Sequence, residues 1–139
     1  MRALPALGPA TVVMVYEAVQ GEPDSAAFVE WCRVDGKVVV IPDPAPSAVP
    51  PVDPTAIDVV VVPGLAFTTA GERLGQGGGW YDRVLAQLRD DALTVGVCFE
   101  AQIVDIVPSE PHDVVLDVVV SESGVRGGAD VGERSPGEP

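Results

Sequence analysis

Five short runs of branched aliphatic residues limit what this chain can become. They are TVVMVY at 11–16, KVVVI at 37–41, IDVVVV at 57–62, LTVGVCF at 93–99 and VVLDVVV at 114–120. A strand with one wet face alternates apolar and polar residues. These runs are apolar at successive positions, as expected of strands covered on both faces in a parallel sheet. Twenty-seven of the 139 residues are valine and seven are aromatic, so the core has to be aliphatic. Between the first two runs, Ser25 is placed to cap a helix over 26–34 that turns Phe28, Val29 and Cys32 inward and ends at Gly36. A second helix is expected from Trp80, with Val84, Leu85 and Leu88 inward, and a short helical turn over 100–106. Strands alternating with helices give an α/β class: a three-layer, Rossmann-like fold with a mainly parallel sheet. The proline-dense stretch 42–54 excludes regular structure and reads as a stiff extended connection. After Ser123 there is glycine, acid and proline without periodicity. The expected organisation is one domain over 1–123 and a disordered acidic tail over 124–139.

Charge and residue counts narrow the function. Acidic residues outnumber basic ones by 21 to 8, for a net charge of −13, so the surface repels a polyanion and nucleic acid is excluded as a partner. No apolar run reaches the roughly 18–20 residues that span a bilayer, and the first fifteen residues do not follow a signal-peptide pattern. Cys32 and Cys98 sit in apolar segments and read as reduced core thiols, which fits a cytoplasmic monomer. His112 is the only histidine. A histidine-based triad or a multi-histidine metal site cannot be built within one chain.

The most informative segment is Arg73-Leu74-Gly75-Gln76-Gly77-Gly78-Gly79-Trp80-Tyr81-Asp82-Arg83. Four glycines in five positions, between a strand and a helix, let the backbone approach a ligand and aim N–H groups at an anion. Arg73 and Arg83 flank the loop with positive charge. Asp82, in the first helical turn, either favours the helix dipole or holds Mg²⁺ on bound phosphates. Trp80 is placed to stack on a flat ring. The loop is neither a P-loop, since no Gly-Lys-Ser/Thr follows, nor a GxGxxG dinucleotide turn.

PGLAF at 63–67, G-x-R-L-G-x-G-G-G-W-Y-D-R from Gly71 to Arg83, and Glu110-Pro111-His112-Asp113 with Asp117 beyond it resemble the 5-formyltetrahydrofolate cyclo-ligase (5,10-methenyltetrahydrofolate synthetase) family. Gly21-Glu22-Pro23-Asp24-Ser25 is a weaker echo of the same family. The resemblance implies ATP- and Mg²⁺-dependent conversion of 5-formyltetrahydrofolate to 5,10-methenyltetrahydrofolate. It assigns ATP to Arg73, Leu74, Gly75, Gln76, Gly77, Gly78, Gly79, Trp80 and Tyr81. It assigns the folate to Glu22 and to the stretch Gln76, Gly77, Gly78, Gly79 and Trp80, and Mg²⁺ to Asp82 and Asp113. Both carboxylates are then expected at the carboxyl edge of neighbouring strands. The chain departs from the family in several respects. An N-terminal Lys-x-x-Leu-Arg helix has no counterpart, the connection at 42–56 is short, Thr68 replaces an Asp, and Gln76 and Trp80 replace more typical residues. The expectation is therefore an N-terminally shortened member of impaired activity, and the alternative is a non-catalytic nucleotide-binding module on the same fold.

Overall fold

The computed structural model describes residues 7–43, 50–75, 79–108 and 113–128. In chain order the elements are β1 (Val12–Val15), α1 (Ala26–Val34), β2 (Val38–Val40), β3 (Val59–Val62), β4 (Ala66–Phe67), β5 (Arg73–Leu74), α2 (Trp80–Leu85), β6 (Leu93–Val97), β7 (Val118–Ser121) and β8 (Gly124–Gly127). Single 3-10 turns lie at Pro54–Ala56 and Glu100–Gln102. Six strands form one sheet in the order β2-β1-β3-β6-β7-β8. The first five are parallel and β8 closes the edge antiparallel to β7. All five apolar runs supply the parallel strands, and the α/β architecture with a mainly parallel sheet is the one expected.

Every residue of β3 and β7 is buried. The valines of β1, β3 and β7 pack with Phe67, Tyr16, Leu85 and Leu116 into one cluster, to which α1 adds Phe28, Val29 and Cys32. From β1 the chain runs outward to β2, then returns past β1 to β3 and continues the other way. That reversal puts a crevice between the carboxyl ends of β1 and β3, where parallel sheets bind ligands.

Aspartates bolt the opposite edge. Asp58 Oδ2 accepts the N–H groups of Thr11 and Val12, each at 2.9 Å, and Oδ1 accepts from Arg89 at 2.8 Å. Asp117 Oδ2 accepts the Thr94 N–H at 2.9 Å and its hydroxyl at 3.1 Å. The Val12 amide and Arg89 hold the Asp58 carboxyl below its ordinary range. A depressed carboxyl stabilises the fold above its unfolded pKa and loses that contribution as pH falls through the folded value. Asp58→Ala is thus expected to cost about 2 kcal/mol at pH 7, the scale of hydrogen bonds to a charged group. Urea unfolding across pH 2–7 should show the gap between variant and parent closing below about pH 4, near the unfolded carboxyl value. A gap constant with pH would remove the charge from this account.

Three expectations need correction, and one element was not expected. Gly124–Gly127 form β8, so the irregular tail does not begin at 124; residues 129–139 lie outside the described set. Glycine makes the closure possible, since a Cβ at Gly127 or Gly128 would collide with the backbone of Thr69 or Asp117. Ser25 stands at the start of α1 but does not cap it with its side chain. Its hydroxyl donates to the Tyr16 carbonyl at 2.7 Å, and Asp24 Oδ1 accepts the Ala26 N–H instead. The helix from Trp80 ends at Leu85, with Leu88 packed on the core from beyond it. The hairpin of β4 and β5 escaped notice because two-residue strands carry no period. Among the described residues no helix is long and apolar enough to cross a membrane.

Candidate functional site

Arg73 lies at the carboxyl end of β3, on one side of that crevice. The β4–β5 hairpin lies across the sheet, with Phe67 against Gly96 of β6 and the Gly71 carbonyl accepting the Leu116 N–H at 2.8 Å. This placement carries Arg73, the first residue of β5, to the exit of β3. Its Nε donates to the Pro63 carbonyl at 2.7 Å, and its guanidinium lies 5.3 Å from the centre of the Tyr81 ring. One terminal nitrogen is 3.5 Å from Asp82 Oδ1. The Arg73 side chain is 7% exposed and that of Asp82 39%. Burial pushes the guanidinium below its ordinary value, and Asp82, Tyr81, Asp113 and Glu22 oppose the shift in that order. Guanidinium stays charged regardless. A buried cation fixed by a carbonyl and an aromatic face has its direction set in advance.

Of the other expected residues, Asp82, Tyr81 and Gly75 lie against it, and the charges of Glu22 and Asp113 act on it. Glu22, from the loop after β1, is half-buried and accepts the Val19 N–H at 2.9 Å through Oε1. Tyr81, on the first turn of α2, is 8% exposed; burial raises its hydroxyl pKa, Glu22 raises it further and Arg73 opposes. Leu74 pairs with Ala66, and Gly75 lies so close to Arg73 that an added Cβ would stand 3.0 Å from a guanidinium nitrogen. Gly79 begins α2 with φ +69°, a left-handed conformation that suits glycine. Asp113 is half-buried and acts on the same guanidinium. Gln76, Gly77 and Gly78, together with Glu110, Pro111 and His112, lie outside the described residues.

Two site expectations change. Asp113 does not follow a strand: it lies in the crossover that enters β7, four residues before Asp117. Asp117 is the bolt at the amino edge, with its N–H donating to the Thr94 carbonyl at 3.1 Å. Asp113 reaches the Arg73 neighbourhood because the hairpin crosses the sheet toward it. Trp80 does not offer an open ring face. It is 4% exposed and sits edge-on to Tyr81, with ring centres 5.0 Å apart.

Sequence reasoning missed two supports of this site. The Tyr16 hydroxyl, buried at the end of β1, donates to the Pro23 carbonyl at 2.6 Å and so holds the loop that carries Glu22. Gln102 ties the exit of β6 to the exit of β3. The available signal was positional, a polar side chain immediately beyond a buried central strand. Cys98 belongs to the core: it is 1% exposed, and burial lifts its thiol to about 11, too high for a nucleophile near neutral pH.

Comparison with known proteins gives this geometry a family. The model of the 5-formyltetrahydrofolate cyclo-ligase family matches residues 44–122, more than half of the chain. The chain is 40% identical over 79 residues to the mitochondrial 5-formyltetrahydrofolate cyclo-ligase of Arabidopsis thaliana, covering 50% of this chain and 28% of that protein. It is 37% identical over 79 residues to the 5-formyltetrahydrofolate cyclo-ligase of Mycolicibacterium smegmatis, covering 57% and 41%. The matched stretch thus spans less than half the length of either relative. Among solved structures, the fold is similar to the 5,10-methenyltetrahydrofolate synthetase of Aquifex aeolicus, with TM-score 0.74 and 28% identity over 93% of this chain and 77% of that one. It is also similar to the 5,10-methenyltetrahydrofolate synthetase of Mycoplasma pneumoniae, with TM-score 0.69 and 25% identity over 81% and 73%. This chain belongs to the 5-formyltetrahydrofolate cyclo-ligase family.

Proposed function

We propose that the chain acts on 5-formyltetrahydrofolate, closing it to 5,10-methenyltetrahydrofolate with ATP converted to ADP and phosphate. The observation that supports this best is one buried guanidinium, 3.5 Å from Asp82 and 5.3 Å from the centre of the Tyr81 ring, beside a helix that starts from a left-handed glycine. Transfer of a phosphoryl group to the formyl oxygen requires positioning and charge neutralisation more than covalent help. Arg73 offers a fixed positive charge to the phosphates, and the start of α2 adds backbone N–H groups. Glu22 offers a carboxylate to the amino and ring N–H donors of the pterin. Burial of Tyr81 keeps its hydroxyl protonated, so it can donate to an anionic oxygen.

Asp82 and Asp113 supply hard oxygen donors suited to Mg²⁺, which takes one or two carboxylates together with phosphate oxygens and water. Bound there, the ion would neutralise phosphate charge. The described residues contain no group of three or more potential ligands, and a nucleotide-bridged Mg²⁺ needs none. The reading also places the protein in a reducing, cytoplasmic setting, supported by two buried, unbonded thiols.

The test is a thermal-shift titration of the 139-residue chain with ATP and Mg²⁺. Saturation at 100 times the dissociation constant should stabilise the fold by about 2.7 kcal/mol. Chelation of the metal, or Asp82→Asn combined with Asp113→Asn, should remove most of that shift. Turnover, followed by methenyl absorbance, is expected to be slow. Lys37 cannot assist at the crevice, because its ammonium is buried at the opposite edge on the carbonyls of Gly8 and Ala10. Stabilisation by ATP without any methenyl product would favour the nucleotide-binding module, and no shift at all would sink both readings.

A further inference from the structure

We propose that Gln102 is a positioning residue for Arg73, acting through Gly64, whose carbonyl it holds one peptide beyond the Pro63 carbonyl that seats the arginine. Gln102 closes the 3-10 turn after β6 and spends its side chain on two different segments. Oε1 accepts the Phe99 N–H at 2.8 Å, within its own turn. Nε2 donates to the Gly64 carbonyl at 2.9 Å and the Leu65 carbonyl at 3.3 Å, at the exit of β3. The turn therefore grips the neighbouring strand exit in addition to capping itself.

That exit is the seat of Arg73. The Pro63 carbonyl takes the Arg73 Nε–H, and Gly64 lies directly under the arginine stem. A Cβ on Gly64 would stand 3.2 Å from Arg73 Cγ and 2.9 Å from the Phe67 ring, so the peptide is confined from that side. Gln102 fixes the adjoining Gly64–Leu65 peptide through the Gly64 carbonyl, which limits how far Pro63–Gly64 can turn. Leu65 N–H donates to the Leu74 carbonyl at 2.8 Å, and the Val104 N–H to the Phe67 carbonyl at 2.8 Å, which locks the same segments in register. Rotation of the Pro63–Gly64 peptide would swing the acceptor of Nε–H and with it the guanidinium over Tyr81. Gln102 touches neither nucleotide nor folate in this account.

The inference rests on Arg73 as the phosphate contact, and its test separates the two claims. Gln102→Glu keeps the acceptor for Phe99 but removes both donated bonds and sets a carboxylate against two carbonyl oxygens. Gln102→Met removes all three bonds without adding charge. Exchange of the Arg73 Nε–H with solvent, read by NMR on the unliganded chain, should be slow in the parent and at least tenfold faster in both variants. Calorimetric affinity for ATP with Mg²⁺ should fall tenfold or more in both. Parental Nε–H exchange in Gln102→Glu would show that the glutamine serves only its own turn and would overturn the proposal. Faster exchange with unchanged ATP affinity would overturn its link to the nucleotide. A parent that binds no ATP refutes the phosphate reading, while the exchange rates still decide whether Gln102 positions Arg73.

Discussion

Arg73→Gln is expected to lower methenyl formation by about 10²–10³-fold, the loss found when one preorganised charge contact to a reacting group is removed. The size follows from the setting. The guanidinium is almost wholly withdrawn from water, so its field is little screened, and its direction is set by the Pro63 carbonyl and the Tyr81 ring before any ligand arrives. Glutamine can reach the same carbonyl but brings no charge. Arg73→Lys should fall between the two, because an ammonium restores charge without the fork that bonds Pro63 and faces Tyr81 together. Steady-state kinetics with ATP varied at saturating folate, beside calorimetry of ATP with Mg²⁺, would check the series. Equal rates for arginine, lysine and glutamine would show that the phosphates lie elsewhere.

The arginine was legible in the sequence as a flank of the glycine loop, but its burial was not. Its partners are the Pro63 carbonyl, ten residues earlier, and Asp113, forty residues later. Such contacts depend on the hairpin lying across the sheet, and two-residue strands leave no hydrophobic period to read. The strands were legible for the opposite reason. Burial on both faces forces a continuous valine run, as in Val59–Val62, and no other element tolerates one so well. Helix α1 was read to its ends, while the role of Ser25 was not. A hydroxyl at a helix start has more than one partner within reach, and here it took the Tyr16 carbonyl. β8 was missed because Val125 is its one apolar side chain and glycines make its contacts.

Gly71→Ala should be among the most damaging conservative changes in the described chain. Gly71 has φ +94°, where a non-glycine residue costs about 1–3 kcal/mol. Its missing Cβ also leaves room for the Leu116 backbone: an alanine there would collide with the Leu116 carbonyl and stand 3.0 Å from Val115 Cγ1. Backbone cannot step aside as a flexible side chain can, and forced overpacking adds about 1–3 kcal/mol. The sum, about 2–6 kcal/mol, is a large share of the 5–15 kcal/mol that holds a domain of this size. Gly21→Ala is the control. Its φ is +90° with nothing within 4 Å of the added atom, so only the conformational cost applies. Urea unfolding should place Gly71→Ala clearly below Gly21→Ala, and equal losses would mean that the hairpin tip yields without resistance.

The place of β2 at the edge of the sheet bears on how such a chain can change over generations. The connection from β2 to β3 has to pass only one strand, β1, a step of about 10 Å at the usual interstrand spacing. Its sequence is dense in proline, and its landing is fixed by the 3-10 turn at Pro54–Ala56, where Asp53 accepts the Thr55 N–H at 2.9 Å. Adding residues upstream of that turn shifts no strand register and costs loop-closure entropy of only about 0.6 kcal/mol per doubling of length. Insertions and deletions can therefore accumulate in this one connection without disturbing the valine sheet or Arg73. The length of this connection is free to drift, while the sheet beneath it stays where it was.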